Sequence, residues 1–192
     1  TQADDLWTYI ESHVMSILDI DEEWCKALIA KHGPVRVVWA SPPCTGFSVA
    51  SCGHHWTPPD AEGYREPKTD RARLGVQLVE HTLKIIEWLR PEFFWIENPR
   101  GILRKLPLLE HLPHVQVAYC KYGEERQKPT DLWGRWPSSW EARTMCKRRS
   151  NLHGTIMVDG VEWVPDENGD PCHRVARRGM STGTQGIKGN AL

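Results

Sequence analysis

No apolar run in the sequence approaches the ~20 residues a helix needs to cross a bilayer, which excludes a helical membrane protein. Charge of one sign is also missing. The chain of 192 residues carries 24 Lys+Arg against 25 Asp+Glu, so it is not a polycation that binds polyanions along its whole length. Phenyl rings are few, three Phe and four Tyr, and ten Trp take their place as core and interface aromatics. The six cysteines (Cys25, Cys44, Cys52, Cys120, Cys146, Cys172) lack the short, regular spacing of a disulfide-stapled secreted domain. A signal-peptide pattern is absent too: Thr1-Gln2-Ala3-Asp4-Asp5 is acidic rather than basic. Reduced thiols in a cytoplasmic protein are the expectation. No internal repeat is found. The start at Thr rather than Met leads us to expect a fragment or a processed product.

What is present suffices for one core. Hydrophobic residues make up 40% of the chain, and several segments are clearly periodic, which excludes a disordered or fibrous protein. The even net charge hides a gradient. Residues 1–33 carry seven acidic and two basic side chains, whereas 121–192 carry twelve basic and nine acidic. Basic clusters at Lys147-Arg148-Arg149 and Arg174/Arg177/Arg178 are either a polyanion contact or a solvated face.

Residues 4–32 predict one or two helices, with Trp7, Ile10, Val14, Ile17 and Leu18 at helical spacing and Trp24, Leu28 and Ile29 beyond Asp21. Val35–Ala40 is a β-branched apolar run, the pattern of a buried parallel strand, and it leads into Ser41-Pro42-Pro43-Cys44. Residues 45–70, rich in Gly, Pro, Ser and His, read as a long functional loop. A helix of about five turns follows from Arg71 to Arg90, stopped by Pro91. Phe93-Phe94-Trp95-Ile96 is a second buried strand ending at Glu97-Asn98-Pro99. A short helix near 101–111 leads to a third strand, Val115–Tyr122. This rhythm predicts an open parallel α/β sheet over residues 1–136. Residues 137–192 form a small second region with a hairpin at 155–164 around a type I′ Asp159-Gly160 turn.

In such sheets ligands gather at the carboxyl ends of the strands, and two segments place unusual residues there. Pro42 and Pro43 fix the backbone leaving the first strand and so hold Cys44 at a defined point. A cysteine there is either a nucleophile favoured as thiolate by nearby cationic or amide groups, or an ordinary small residue. Glu97 leaves a strongly apolar strand, so partial desolvation should raise its pKa and suit it to engage a ring nitrogen. It also reads as an N-cap for the helix that follows.

Together these segments resemble the DNA cytosine-5 methyltransferases, which use S-adenosylmethionine. Pro42-Pro43-Cys44, with Gly46-Phe47-Ser48 behind it, is similar to their catalytic-loop motif, and Glu97-Asn98-Pro99 to their glutamate motif. Tyr122-Gly123 followed by Gln127 resembles the next block, a Gln-x-Arg-x-Arg pattern. The match spans residues 35–136 in the family's order, and short phage-type members are the most similar.

The resemblance implies a Rossmann-like methyltransferase sheet, S-adenosylmethionine as cofactor and double-stranded DNA as partner. The protein would work as a monomer in the cytoplasm of a bacterial or phage-infected cell. A cytosine is flipped out of the duplex. Cys44 attacks C6, Glu97 engages N3, Asn98 assists, C5 accepts the methyl group, and loss of the C5 proton expels Cys44. Pro43, Ser48, Pro99, Arg126 and Gln127 would contact the substrate, and Pro42 and Leu78 the cofactor. His54, His55, Trp56, Arg65 and Lys68, on a loop closing over DNA, are either phosphate and base contacts or solvated residues.

The departures are equally specific. Lys128-Pro129-Thr130-Asp131 stands where the family has arginines, no Phe-x-Gly-x-Gly precedes Cys44, and only about 55 residues are left for target recognition. Two other readings stay open. A non-catalytic DNA-binding relative fits the missing glycine-rich loop. An amino-methyltransferase for cytosine N4 or adenine N6 fits Ser41-Pro42-Pro43, although its motif needs an aromatic where Cys44 stands. Cys146, His153, Cys172 and His173 flank the hairpin, but their spacing matches no strong zinc pattern, so no metal is expected. Trp133, Trp136 and Trp140 are assigned to the core.

Overall fold

Thr69 opens the longest helix of the chain, its hydroxyl accepting the Ala72 amide at 3.3 Å. The helix ends where Arg90 turns left-handed at φ 47° just before Pro91. In the computed structural model, which describes residues 11–49, 52–146 and 154–175, this helix is α3 (Asp70–Leu89). Ala72, Gly75, Val79, Thr82, Ile86 and Leu89, spaced three and four apart, form its buried stripe. Helix α1 (Glu22–His32), capped by Asp21, packs on α3, and His81 of α3 meets the Ile20 carbonyl at 2.8 Å. A short helix, α2 (Cys52–His55), lies between them in sequence. Trp7, Ile10, Lys147-Arg148-Arg149, His153, Arg177, Arg178 and the glycines from Gly179 on lie outside the described residues.

The main sheet has the order β1-β2-β4-β3, from β1 (Val37–Ala40), β2 (Phe93–Pro99), β3 (His114–Ala118) and β4 (Pro129–Arg135). Strands β1 and β2 are parallel, Val38 opposite Phe94 and Ala40 opposite Ile96. Strand β4 is antiparallel to both its neighbours. The sheet is therefore mixed, and the all-parallel expectation is corrected. Strand β4 had no sequence signal because Asp131 and Gly134 interrupt its apolar pattern. The structure answers both residues. Asp131 is fully buried but accepts from Arg104, His114 and Gln116. Gly134, at φ 148°, brings β4 against the Phe94 carbonyl.

The core lies between α3 and one face of the sheet. Phe47, Trp56, Val79, Ile86, Ile96, Leu103, Leu109 and Trp133 pack there, each large side chain stabilising the fold by about 1.5–3 kcal/mol. The other face carries an apolar groove of about 510 Å³ lined by Val37, Trp39, Trp95, Val117, Leu132 and Trp140. Strand β1 is thus an edge strand with Val37 and Trp39 56% and 57% exposed, not the buried strand its composition predicts. Burial on both faces needs two covering layers, and among the described residues α3 supplies one.

Two further boundaries differ. The helix expected near 101–111 is two 3-10 turns, Leu103–Lys105 and Pro107–Leu109, because Pro107 removes an amide from any continuous helix. The third strand stops at Ala118, and Tyr119–Tyr122 is a 3-10 turn closed by left-handed Gly123. A second sheet is formed by β5 (Ile156–Val158), β6 (Val161–Pro165) and β7 (Pro171–Arg174) in that order. The hairpin forms at the expected place, with Asp159 and Gly160 at φ 49° and 74° as a type I′ turn requires. Strand β7 adds a third member. No helix among the described residues is long and apolar enough to cross a membrane.

Candidate active site

Strand β1 ends at Ala40, and Pro42 and Pro43 lead into a 3-10 turn over Cys44–Gly46. Cys44 is half-buried at its start. The residues behind it are held from three sides. The Gly46 carbonyl accepts the buried Trp56 indole N–H at 2.7 Å. The Phe47 ring stacks on Trp56 and lies over Gly75 of α3, where a Cβ would come within 3.1 Å of it. The Phe47 carbonyl accepts the Ile102 amide at 2.8 Å, and Ser48 bridges to Gly101. A Cβ on Gly101 would lie 2.1 Å from the Phe47 oxygen, so only glycine permits this approach.

Glu97 and Asn98 lie within β2, not beyond it, opposite Leu132 and Asp131 of β4. Successive side chains on a strand face opposite ways. Asn98 is fully buried and its Nδ2 donates to the Pro42 carbonyl at 2.9 Å, while its Oδ1 finds no hydrogen-bond donor among the described residues. Glu97 is 7% exposed; the Tyr119 hydroxyl donates to its Oε1 at 2.9 Å, and the Lys128 ammonium stands 3.8 Å away. Lys128 also lies over the Tyr119 ring, 4.3 Å from its centroid. Burial and the neighbouring Glu97 carboxylate push the Tyr119 phenol up to about 12. The N-cap alternative for Glu97 fails, since no helix begins there.

The remaining site residues are placed as follows. Pro42 is buried and Pro43 exposed, and Pro99 pairs with Thr130. Leu78 is half-buried on α3, one turn past Gly75. Arg126 is exposed and ion-paired to Glu124, and Gln127 donates to the Cys146 carbonyl at 2.8 Å. Lys128, not Arg126 or Gln127, is the residue joined to Glu97. Tyr119 carries no signal in the sequence, and Lys128 stands out there only as a departure from the arginines that follow the family's glutamine.

The 45–70 segment is more ordered than its composition suggests. Trp56 is core, and His55 is buried with its Nδ1 on the Thr69 hydroxyl at 2.8 Å, so neither is a surface contact. Arg65 and Lys68 donate to the Thr57 and Gly53 carbonyls, and His54 stays exposed. Trp133 is buried as expected, whereas Trp136 and Trp140 are half-buried. Several basic side chains of the C-terminal region are paired with acids: Arg174 with Glu125, Lys121 with Glu167.

Over 115 residues the chain is 32% identical to a protein of Frog virus 3 (isolate Goorha) named "Probable DNA (cytosine-5)-methyltransferase". Its resemblance to the DNA cytosine-5 methyltransferases holds. The aligned part is 58% of this chain and 51% of the relative, so the chain spans about half the length of this viral methyltransferase. Among solved structures, a "putative DNA modification methyltransferase encoded within prophage" of E. coli is similar at TM-score 0.40 and 19% identity, over 63% of this chain and 32% of that one. That likeness is too distant to bear on function. No family model matches the chain.

Proposed function

We propose that this chain carries the base-activating half of a DNA cytosine-5 methyltransferase, with residues 1–136 as catalytic core and 137–192 as a small recognition region. The observation that carries the reading is the Asn98–Pro42 hydrogen bond, which ties the strand bearing Glu97 to the turn bearing Cys44. Only Pro43 separates Pro42 from Cys44, and Asn98 follows Glu97 directly. The nucleophile and the acid are thus positioned by one buried contact rather than by two independent loops.

In this reading a cytosine flipped from double-stranded DNA meets the Cys44 thiolate at C6, forming a carbon–sulfur bond. The electron pair displaced toward the ring is held as an enamine by the Glu97 carboxyl at N3. The Tyr119 hydroxyl and Lys128 hold Glu97 in place, where the relatives' motif has arginines. C5 becomes the carbon that accepts a methyl group, and loss of its proton expels Cys44. Pro43, Ser48 and Pro99 border the base. Arg126 and Gln127 stay in the proposal only as outer contacts, given their partners.

The family takes its methyl group from S-adenosylmethionine, and the described residues do not make a complete site for it. The one glycine just ahead of β1 is Gly33, the C-cap of α1. The nearby acids are otherwise engaged, Asp21 capping α1 and Glu11 paired with Lys31 and His32. Pro42 and Leu78 would border the cofactor. We place the protein in the cytoplasm as a monomer; its six unpaired thiols support a reducing compartment.

The test has two parts. Exchange of the cytosine C5 hydrogen with deuterated water needs only Cys44 and Glu97. Trapping on duplex DNA containing 5-fluorocytosine with S-adenosylmethionine needs the whole reaction. Exchange that disappears in Cys44→Ala is expected. The incomplete donor site favours a second reading, a non-catalytic DNA-binding relative. Salt-dependent DNA binding without exchange or adduct would establish that reading instead.

A further inference from the structure

We propose that Cys120, Cys146, Cys172 and His173 form a tetrahedral zinc site that fastens the three-stranded C-terminal sheet to the turn following β3. Each residue offers one ligand atom, and the four atoms lie within 4.8 Å of one another. The Cys146 and Cys172 sulfurs are 3.7 Å apart, and the Cys146 sulfur is 3.6 Å from His173 Nδ1. Zinc bonds of about 2.3 Å to sulfur and 2.0–2.1 Å to nitrogen, at tetrahedral angles, put neighbouring ligands about 3.8 Å (sulfur–sulfur) and 3.6 Å (sulfur–nitrogen) apart. The observed separations match both. They are far longer than the ~2.05 Å of a disulfide.

The ligands come from three separate stretches: the 3-10 turn Tyr119–Tyr122, the segment before 147, and β7. A regular strand would send the adjacent Cys172 and His173 to opposite faces. Here β7 is bulged. Val164 pairs with His173 and Pro165 with Pro171, so Cys172 is the extra residue. A bulge re-aims a side chain at the cost of one ladder position, which accounts for two consecutive ligands converging on one point.

Three of the four residues are buried and Cys172 is half-buried, with Ala118 and Met145 packed around them. Three thiols alone would pass as small apolar core residues. A buried imidazole with its Nδ1 directed at a sulfur would not. Burial pushes the Cys120 and Cys172 thiols up and the His173 imidazole down, the mark of donor groups held together out of water. A divalent ion binds thiolates directly and would give these converging buried donors a common partner.

The surroundings complete the site. Gln127 binds the Cys146 carbonyl, and the Arg174 amide donates to the Glu125 carbonyl at 2.8 Å. Lys121, next to Cys120 and shared with Glu167, is a cation close to the Cys146 and Cys172 sulfurs. Three sulfurs and a nitrogen select a borderline-soft metal, and four protein ligands leave no open position, as in a structural zinc site. The inference does not depend on the methyltransferase reading.

The test uses the full chain, loaded with zinc sulfate and dialysed. Elemental analysis should find one zinc per chain, released when a mercurial titrates the thiols. Cobalt(II) in place of zinc should give the intense visible absorption of a tetrahedral thiolate centre. Cys172→Ser and Cys120→Ala should lower zinc occupancy at least tenfold, whereas Cys52→Ser should keep it. If a ligand variant does not fold, the wild-type cobalt spectrum still decides. A folded wild-type chain holding less than a tenth of an equivalent, or a cobalt spectrum without tetrahedral intensity, would overturn the proposal.

Discussion

Asn98 Nδ2 donates to the Pro42 carbonyl across 2.9 Å, and both residues are buried. This bond couples the strand end that bears an acid to the turn that bears a thiol. Asn98→Ala leaves the carbonyl unpaired away from water, a loss of about 1–3 kcal/mol. Thermal unfolding should show the lower stability, and C5 exchange should slow more than the stability change alone explains. An unchanged exchange rate would detach Asn98 from the positioning of Cys44.

Gly101 meets the Phe47 carbonyl where no Cβ fits. Gly101→Ala must push apart the Ser48–Gly101 bridge, and overpacking of this kind costs about 1–3 kcal/mol. Urea unfolding should register the loss. Cys44 should also react faster with a neutral alkylating probe, because the turn behind it loosens.

Asp131 is a fully buried anion that accepts from half-buried Arg104 and Gln116 and from exposed His114. Asp131→Ala removes the acceptor of Arg104, whose side chain is 26% exposed, and losing this part-buried charged hydrogen bond costs about 1–3 kcal/mol. The double variant Arg104→Met with Asp131→Leu should recover most of that in chemical denaturation. Additive losses would contradict a direct pairing.

Tyr119 carries the pH prediction. Its phenol is pushed up to about 12, first by burial and then by Glu97, so the folded state keeps the proton that the unfolded chain loses near its usual 10. The group's contribution to stability is complete below about pH 10 and is lost as pH rises through about 12. Phenolate absorbance should resolve one tyrosine titrating late among the four in the sequence. Tyr119→Phe should remove that late step and flatten the stability curve between those limits.

Local pattern placed much of this molecule correctly. The α3 helix could be read from its three–four spacing and Pro91 stop, and the hairpin from Asp159-Gly160, because both signals act within a few residues. The Pro42-Pro43-Cys44 and Glu97-Asn98-Pro99 segments stand out in the sequence for a similar reason, since proline stiffness and an acid on an apolar strand are local properties. Where composition alone was the guide it misled. The Gly- and His-rich 45–70 stretch looked like an open loop, yet Phe47 and Trp56 anchor it in the core.

Contacts between distant segments were decided only in three dimensions. Antiparallel β4 is inserted between β2 and β3 because Arg104, His114 and Gln116, each far from Asp131 in sequence, make its burial tolerable. Tyr119 and Lys128 reach Glu97 only once β3 and β4 are paired. Cys120 joins Cys146 and the Cys172-His173 pair through a bulge that no spacing rule announces. By itself the sequence determined which residues could do chemistry, since side-chain type and local backbone stiffness are written in order along the chain. Tertiary structure decided which of them meet, since a hydrogen bond or a metal ligand set depends on distance in space and not on separation in sequence.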